Sequence, residues 1–118
     1  MSFDPVAATS AYHAVLDALD LDAVEGWFAP DATYTSAGLG TLAGRDNIMA
    51  AMRRYVKRSP DHKAWDDSVR KVTSLVAVAD WRLTATNIET GEKISRQGLE
   101  TLTFTPEGKI ISILVEDR

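Results

Sequence analysis

The hydrophobic periodicity of this 118-residue chain changes once, near Asp66, and this change constrains the fold more than any other feature. Before it, apolar residues recur at spacings of three and four, which is typical of amphipathic helices. After it, β-branched residues alternate with polar ones, and glycine-containing turns interrupt the pattern at 89–92 and 106–109. Helices followed by antiparallel strands predict a segregated α+β fold, and the length predicts a single domain over residues 1–118.

Two helices are predicted at the start of the chain. The first begins at Asp4-Pro5, where the carboxylate can cap free amides and proline needs no hydrogen-bond partner. It is expected to run to about Leu19. The second is expected at Leu21 to Phe28 and to end before Pro30, because the residue before a proline avoids helical angles.

A third helix and a sheet complete the predicted order. A short strand is expected at Ala32 to Ser36, followed by a glycine-rich loop over 36–44. The third helix is predicted to begin near Arg45 and to stop at Ser59-Pro60. A meander of four strands is expected from Asp66 onward.

Composition excludes several classes of function. Seventeen acidic against thirteen basic residues give a formal charge of −4, which disfavours binding to nucleic acid or to anionic lipid. The absence of cysteine rules out disulfides and thiolate chemistry, and two histidines are too few for most imidazole metal sites, so no metal or cofactor is expected. The acidic start of the chain and the short longest apolar run, Leu75 to Ala79, indicate a soluble cytoplasmic protein without a signal peptide or membrane span.

Strand alternation places one carboxyl group among apolar residues. Glu100 shares a face with Leu102 and Phe104, and Gly98 beside it is expected to leave space for a pocket. Burial there would disfavour the ionised carboxyl and suit it to act as a general acid or base. The alternative is a cross-strand salt bridge on a solvated face.

Other polar residues admit two interpretations each. Tyr12 lies on the apolar stripe of the first helix, either as a core residue or as a hydrogen-bond donor to a ligand. Asp117 has the parity of inward-facing residues but stands next to the C-terminus, and His62 is either solvated or catalytic. His13 lies off the stripe and is expected to be exposed. A further set is predicted to line an apolar pocket: Trp27, Tyr34, Ser36, Met49, Met52, Tyr55, Trp65, Trp81, Leu83, Arg96, Leu102 and Ile113.

The apolar pattern of the last predicted strand indicates that another protein surface covers the sheet. Residues 110–115 carry apolar side chains on both faces, so the face turned away from the helices also needs covering. A second copy of the chain is the simplest cover, which predicts a homodimer through the outer face of the sheet.

Several segments together resemble a known superfamily. The run Tyr12-x8-Leu21-Asp22-x4-Trp27-Phe28-Ala29-Pro30-Asp31-Ala32-Thr33 is followed by Gly44-Arg45-x2-Ile48, Pro60-Asp61-His62 and Gly108-Lys109-Ile110. In order and spacing these segments resemble the nuclear transport factor 2-like superfamily, particularly its SnoaL-like and steroid delta-isomerase-like branches. The resemblance implies a cone in which helices pack into a strongly curved sheet around an apolar cavity, and it implies dimers.

The resemblance also implies candidate roles. In the ketosteroid isomerase branch a tyrosine and a protonated acid stabilise an oxyanion, and their positions are held here by Tyr12 and Glu100. The position of the catalytic base holds Ser36, whose hydroxyl is not a base at neutral pH. Asp117 is the nearest equivalent of the acidic residue of SnoaL-type cyclases, and His62 could carry a proton. The implied function is a cofactor-independent isomerase or cyclase for a small carbonyl-bearing apolar compound. The alternative is a non-catalytic binding or accessory module.

Overall fold

Three helices pack on one curved six-stranded sheet in the computed structural model, which describes residues 3–118. This arrangement confirms the predicted α+β class. The helices are α1 (Pro5–Asp17), α2 (Leu21–Glu25) and α3 (Arg45–Arg58). The strands are β1 (Phe28–Ser36), β2 (Gly40–Ala43), β3 (Lys63–Thr73), β4 (Val76–Thr86), β5 (Lys93–Phe104) and β6 (Ile110–Asp117).

The sheet has the order β2-β1-β6-β5-β4-β3 and is mostly antiparallel. The predicted four-strand meander is present as β3 to β6, and β1 joins it by pairing in parallel with β6. Strand β2 was not predicted, because it lies inside the segment 36–44 that its glycines marked as a loop. Those glycines instead allow the tight return by which β2 pairs with β1, and Gly40 has a positive φ of 80°.

The first helix begins as predicted and the second ends earlier than predicted. Asp4 caps α1, because its Oδ1 accepts hydrogen bonds from the amides of Val6 at 2.9 Å and Ala7 at 3.2 Å. Helix α2 ends at Glu25, and Phe28 already belongs to β1. Pro30 therefore lies within a strand, where the β1–β6 register is irregular and its missing N–H breaks no regular ladder. Within the described residues, no helix is long and apolar enough to cross a membrane.

The core lies between the helices and the inner face of the sheet. Tyr12 of α1 is fully buried and meets the ring of Phe28 edge-on, with ring centroids 5.7 Å apart. Leu102 and Phe104 of β5 and Ile113 of β6 are buried from the sheet side. The inner faces of β4 and β5 extend beyond this core, and there their side chains border a cavity.

Gly98 serves close packing of backbone and does not leave the space that alternation suggested. It is buried in β5, and a Cβ atom at this position would overlap the backbone carbonyl of Glu116 in β6. The glycine therefore lets β5 and β6 approach each other at this end of the sheet. The inward direction of Glu100, Leu102 and Phe104 agrees with the structure, since all three are buried.

Candidate functional site

A cavity of about 150 Å³ opens beside the core, between α1, α3 and the inner face of the sheet. Its wall is mainly aliphatic and aromatic, and its polar groups fall into three clusters. The lining residues are His13, Leu16, Asp17, Leu19, Tyr34, Ser36, Gly38, Leu39, Met52, Tyr55, Val56, His62, Ala64, Trp65, Asp66, Trp81, Leu83, Arg96, Glu100 and Val115.

The first cluster is a histidine held between two carboxylates. His13 Nε2 lies 2.5 Å from Oε1 of Glu100, and His13 Nδ1 lies 2.6 Å from Oδ2 of Asp66. Glu100 is buried, and the His13 side chain is 16% exposed. Both ring nitrogens can be donors only in the imidazolium form, so the geometry fits a cation with an anion on either side.

Three separate elements bring this cluster together. His13 lies on the face of α1 that packs over β3 and β4. Glu100 points inward from β5, where Ala79 of β4 and Val115 of β6 are its cross-strand neighbours. Asp66 is the cross-strand partner of inward-facing Trp81 and therefore shares its face, and the register shifts directly after it.

The two carboxylates determine the protonation of His13. Burial alone would lower the pKa of this imidazole, but the negative charge of Glu100 and the hydrogen bonds to Asp66 and Glu100 outweigh it. The result is a pKa raised to about 10. His13 is therefore protonated at neutral pH, and the cluster carries a net charge of about −1 when both carboxyls are ionised.

The second cluster pairs Tyr55 with His62. The Tyr55 hydroxyl lies 2.8 Å from His62 Nδ1, and the two rings meet edge-on. Burial lowers the pKa of His62, although Asp17 and Asp61 act in the opposite direction. His62 is therefore neutral at pH 7, and the cavity holds two histidines of opposite protonation state.

The third cluster lies around Arg96. Its Nε and Nη2 atoms each donate to a different carboxylate oxygen of Asp117, both at 2.6 Å. The guanidinium also stands 5.7 Å from the ring centroid of Trp81. Asp117 thus contacts Arg96, but it is not among the residues that line the cavity.

The structure gathers most of the residues predicted to surround a pocket. Glu100 and His62 line the cavity, as do Ser36, Leu83 and the aromatic residues among the predicted set except Trp27. Tyr12 does not, because it is sealed in the core, where its hydroxyl has no hydrogen-bond partner among residues 3–118. The lining residues that match the predicted ligand-binding set are Tyr34, Ser36, Met52, Tyr55, Trp65, Trp81, Leu83 and Arg96.

Four residues of the predicted lining lie elsewhere. Met49, Leu102 and Ile113 are buried in the core cluster, beneath the layer that faces the cavity. Trp27 packs partly on that core and borders a separate shallow groove beside Lys109. Alternation shows which side chains face inward, but it does not show which of them lie in the packed core and which border a cavity. Met49, Leu102 and Ile113 face inward and belong to the core.

Two members of the first cluster were missed from the sequence. His13 was expected to be exposed, yet it stands four residues after buried Thr9 and three before Leu16, which is the spacing of one helical face. This spacing with Thr9 and Leu16 could have shown that His13 faces the interior. Asp66 carried no local signal, because the register shift after it breaks the alternation between Asp66 and Val69, which both face inward.

Within the described residues, the polar side chains of each cluster contact one another and do not form an empty metal-binding site. Both nitrogens of His13 are engaged by carboxylates, and Nδ1 of His62 is engaged by Tyr55. Across residues 3–118, no group of three histidine, aspartate or glutamate side chains has an arrangement suited to a metal ion.

Similar structures share the fold at low sequence identity. SalBIII, an epoxide hydrolase/cyclase-like enzyme in pyran ring formation of the polyether salinomycin, superposes with a TM-score of 0.82 and 20% identity, covering 94% of this chain and 88% of that one. RV0760c from Mycobacterium tuberculosis, solved with estradiol-17β-hemisuccinate, superposes with a TM-score of 0.82 and 12% identity, covering 94% of this chain and 91% of that one. AclR, a putative hydroxylase from Streptomyces galilaeus, superposes with a TM-score of 0.77 and 19% identity, covering 95% of this chain and 86% of that one.

The family of this chain is identified from its sequence. No curated protein matches it. The model of the SnoaL-like domain matches residues 9–113, which include every strand as far as Ile113 and all three clusters except Asp117. Together with the cone of three helices on a curved sheet, this match shows that the chain belongs to the SnoaL-like family of the nuclear transport factor 2-like superfamily.

Proposed function

We propose that this protein catalyses proton transfer on a small, carbonyl-bearing apolar compound, as a cofactor-independent isomerase or cyclase. The observation that carries the proposal is the buried contact of Glu100 with the His13 imidazolium at the wall of an apolar cavity. A paired acid and base in a cleft is the arrangement expected of an acid–base site.

Each member of the cluster has a role in this proposal. Oε1 of Glu100 accepts from His13, whereas its second oxygen has no hydrogen-bond partner among the described residues and is the atom proposed to remove a proton from a carbon next to the carbonyl. His13 orients the carboxylate, and Asp66 orients His13 through Nδ1. Glu100 returns the proton to another carbon or to an oxygen of the same molecule, so no net proton is consumed.

Three roles implied by the resemblance change in this assignment. Tyr12 is excluded from contact with a ligand by its position in the core. Glu100 is proposed as the base and not as the protonated donor, because its partner is a cation. Asp117 is proposed to act through Arg96, and His62 is a second candidate to carry a proton.

The structural neighbours are compatible with this chemistry. SalBIII is epoxide hydrolase/cyclase-like, and RV0760c was solved with estradiol-17β-hemisuccinate. A cavity of about 150 Å³ fits a compound of one ring, with room for a substituent to extend through the open side.

Exchange of carbon-bound protons tests the proposal directly. Acetophenone and other one-ring ketones are incubated with the protein in D₂O, and loss of the proton signal next to the carbonyl is followed by NMR. The wild type should accelerate exchange for at least one ketone, and Glu100→Gln should reduce the rate by about 100-fold or more. His13→Gln should also reduce it, whereas Glu107→Gln, at an exposed turn, is the matched control.

A non-catalytic binding module is the second candidate. Ser36 favours it, since this residue holds the position that the resemblance implies for the base of the ketosteroid isomerase branch, and its hydroxyl accepts from the Leu39 amide at 2.9 Å, which is a structural role in the loop. Ketone binding without any accelerated exchange across the panel would support the binding module and contradict the proposed enzyme.

We also propose that two copies pair through the outer face of the sheet. An outer-face patch, formed by Val76, Val78, Leu99, Thr101, Thr103 and Leu114, runs across three adjacent strands. Val78, Thr101 and Leu114 are cross-strand neighbours in one row, and Leu114 is 41% exposed. The two rows through Thr101 and Thr103 hold no charged residue on these three strands, whereas Leu99 lies between Asp80 and Glu116. Uncharged rows of this kind are suited to a self-complementary contact between identical sheets.

A further inference from the structure

Removal of a proton next to a carbonyl leaves negative charge on the carbonyl oxygen, and a hydrogen-bond donor must meet that charge. Tyr12 cannot supply the donor, because it is sealed in the core. Glu100 and Asp66 are acceptors when ionised, and both nitrogens of His13 are already engaged. The proposed reaction therefore needs a donor from another part of the cavity wall.

Arg96 has one guanidinium nitrogen that is not engaged. Nε and Nη2 donate to Asp117, whereas Nη1 has no hydrogen-bond partner among residues 3–118. The ring of Trp81 lies on one side of the guanidinium, and Asp117 fixes its in-plane orientation. Nη1 is thus a positioned cationic donor in a residue that lines the cavity.

Gly38 lies beside this nitrogen. A Cβ atom at position 38 would stand 2.5 Å from Nη1 of Arg96, which is closer than two such atoms can approach. Gly38 has no positive φ, so its backbone would accept an alanine without strain, and the guanidinium would have to move. The absent side chain at this position therefore leaves room for Arg96.

Two tyrosines, Tyr34 and Tyr55, line the same cavity as Arg96. Burial raises the pKa of Tyr34 and the charge of Glu100 raises it further, whereas the charge of Arg96 lowers it. Burial also raises the pKa of Tyr55, and Arg96 again opposes that effect. Both hydroxyls are neutral donors at pH 7.

We propose that Nη1 of Arg96, assisted by the Tyr34 hydroxyl, binds the neutral carbonyl oxygen of the substrate and stabilises the enolate that forms when Glu100 removes the proton. This inference rests on the proposed function and specifies its substrate class, an uncharged ketone, ester or lactone on a small apolar ring. No further reactant is needed, since the proton passes from carbon to Glu100 and the electron pair to the oxygen at Arg96.

The charges of the cavity favour a neutral oxygen over a carboxylate. Asp117 already neutralises Arg96, and Asp17, Asp66 and Glu100 bring three carboxyl groups to the lining against the single imidazolium of His13. A ligand carboxylate would meet this negative excess without a free compensating charge. A carbonyl oxygen gains the hydrogen bond and meets less repulsion.

The spacing along β5 also fits a small ligand. Arg96 and Glu100 point to the same face of the strand, and four residues of extended chain separate their Cα atoms by roughly 13 Å. Both side chains line the same cavity. In the proposed complex the C–C=O unit of the ligand lies between these two side chains, and its ring occupies the rest of the cavity.

Binding of three matched probes tests the subsite. Acetophenone carries the neutral carbonyl, ethylbenzene lacks the oxygen, and benzoate carries a negative charge. Their dissociation constants are measured by NMR titration for the wild type, Arg96→Met, Tyr34→Phe and Gly38→Ala. Gly26→Ala is the matched control, because Gly26 also lacks a positive φ, lies outside the cavity and has 3.4 Å between its added Cβ and the nearest atom.

We expect the ratio of the acetophenone to the ethylbenzene dissociation constant to rise about tenfold in Arg96→Met and severalfold in Gly38→Ala. Gly26→Ala should leave the ratio unchanged, and the wild type should bind benzoate more weakly than acetophenone. Ratios unchanged in both Arg96→Met and Gly38→Ala, tighter benzoate binding, or no binding of acetophenone at millimolar concentration would each overturn the inference.

The same samples separate this inference from the proposed function. Proton exchange in acetophenone is measured alongside binding. Exchange that is lost in Glu100→Gln but kept in Arg96→Met, with unchanged binding ratios, supports the enzyme and overturns the subsite. Ratios that change in the Arg96 and Gly38 variants, without exchange in the wild type, support the subsite and overturn the proposed enzyme.

Discussion

The Nε2 atom of His13 lies 2.5 Å from the Oε1 atom of Glu100, joining the first helix to a central strand across 87 positions of sequence. With Asp66 on the other ring nitrogen, the imidazolium links α1 to β3 and β5 at the wall of the cavity. The same three side chains thus connect the helix layer to the sheet and form the site proposed for proton transfer. Stability and activity should therefore share a dependence on His13.

The pH dependence of stability should report the His13 cluster. The pKa of His13 is about 10 in the folded protein, against 6.5 for an unperturbed histidine. Because the folded pKa is the higher one, the stabilisation is fully present below pH 6.5 and is lost as pH rises through 10. Urea unfolding of the wild type and His13→Gln should differ by a few kcal/mol at pH 6 and much less at pH 10.5. Parallel pH profiles for the two proteins would contradict this prediction.

Asp66 should contribute to the protonation of His13 without being essential for it. Its hydrogen bond and charge both raise the His13 pKa, after the larger electrostatic effect of Glu100. In Asp66→Asn we expect a lower pKa than in the wild type, because one anion is removed while Glu100 stays. NMR titration of the imidazole signals measures this, with Asp67→Asn as the control, since Asp67 pairs with Arg82 instead. An unchanged His13 pKa would exclude Asp66 as the positioning residue.

We expect the Tyr12 hydroxyl to lower the free energy of unfolding and to have no role in activity. It is fully buried without a hydrogen-bond partner among the described residues. Tyr12→Phe keeps the ring contact with Phe28 and removes the unsatisfied group, so the free energy of unfolding should increase by about 1 kcal/mol. Thermal and urea unfolding measure the change. A loss of stability together with a loss of ketone exchange would restore Tyr12 to the site.

The sequence predicted elements and faces better than it predicted the site. Helical spacing and strand alternation are local, so α1, α3, the meander and the inward direction of Glu100 follow from neighbours along the chain. The site depends on distant segments. Asp66 faces inward because it pairs with Trp81, and a bulge hides this direction from simple alternation. His13 becomes a buried cation only because two carboxylates from other strands reach it. Such pairings have no signature in a single sequence.

Gly98 should tolerate no side chain, for a reason that alternation alone did not give. A Cβ atom there would overlap backbone, which cannot rotate away as a side chain would. Gly98→Ala should lower the free energy of unfolding by about 2–3 kcal/mol, because β5 and β6 would have to separate. Gly26→Ala is the control and should change stability little. Equal stability of the two variants would show that the strands can adjust at no cost.

The proposed dimer makes a separate prediction on the outer face of the sheet. Leu114 is exposed and lies in the same row as Val78 and Thr101, so a charge placed there would be buried in the contact. Leu114→Glu should convert a dimer into a monomer, as measured by light scattering at micromolar concentration. Ile88→Glu is the matched control, because Ile88 is 62% exposed in the turn between β4 and β5, outside the patch. A wild type with the mass of one chain would refute the pairing, whereas a dimer that survives Leu114→Glu would show that another surface forms the contact.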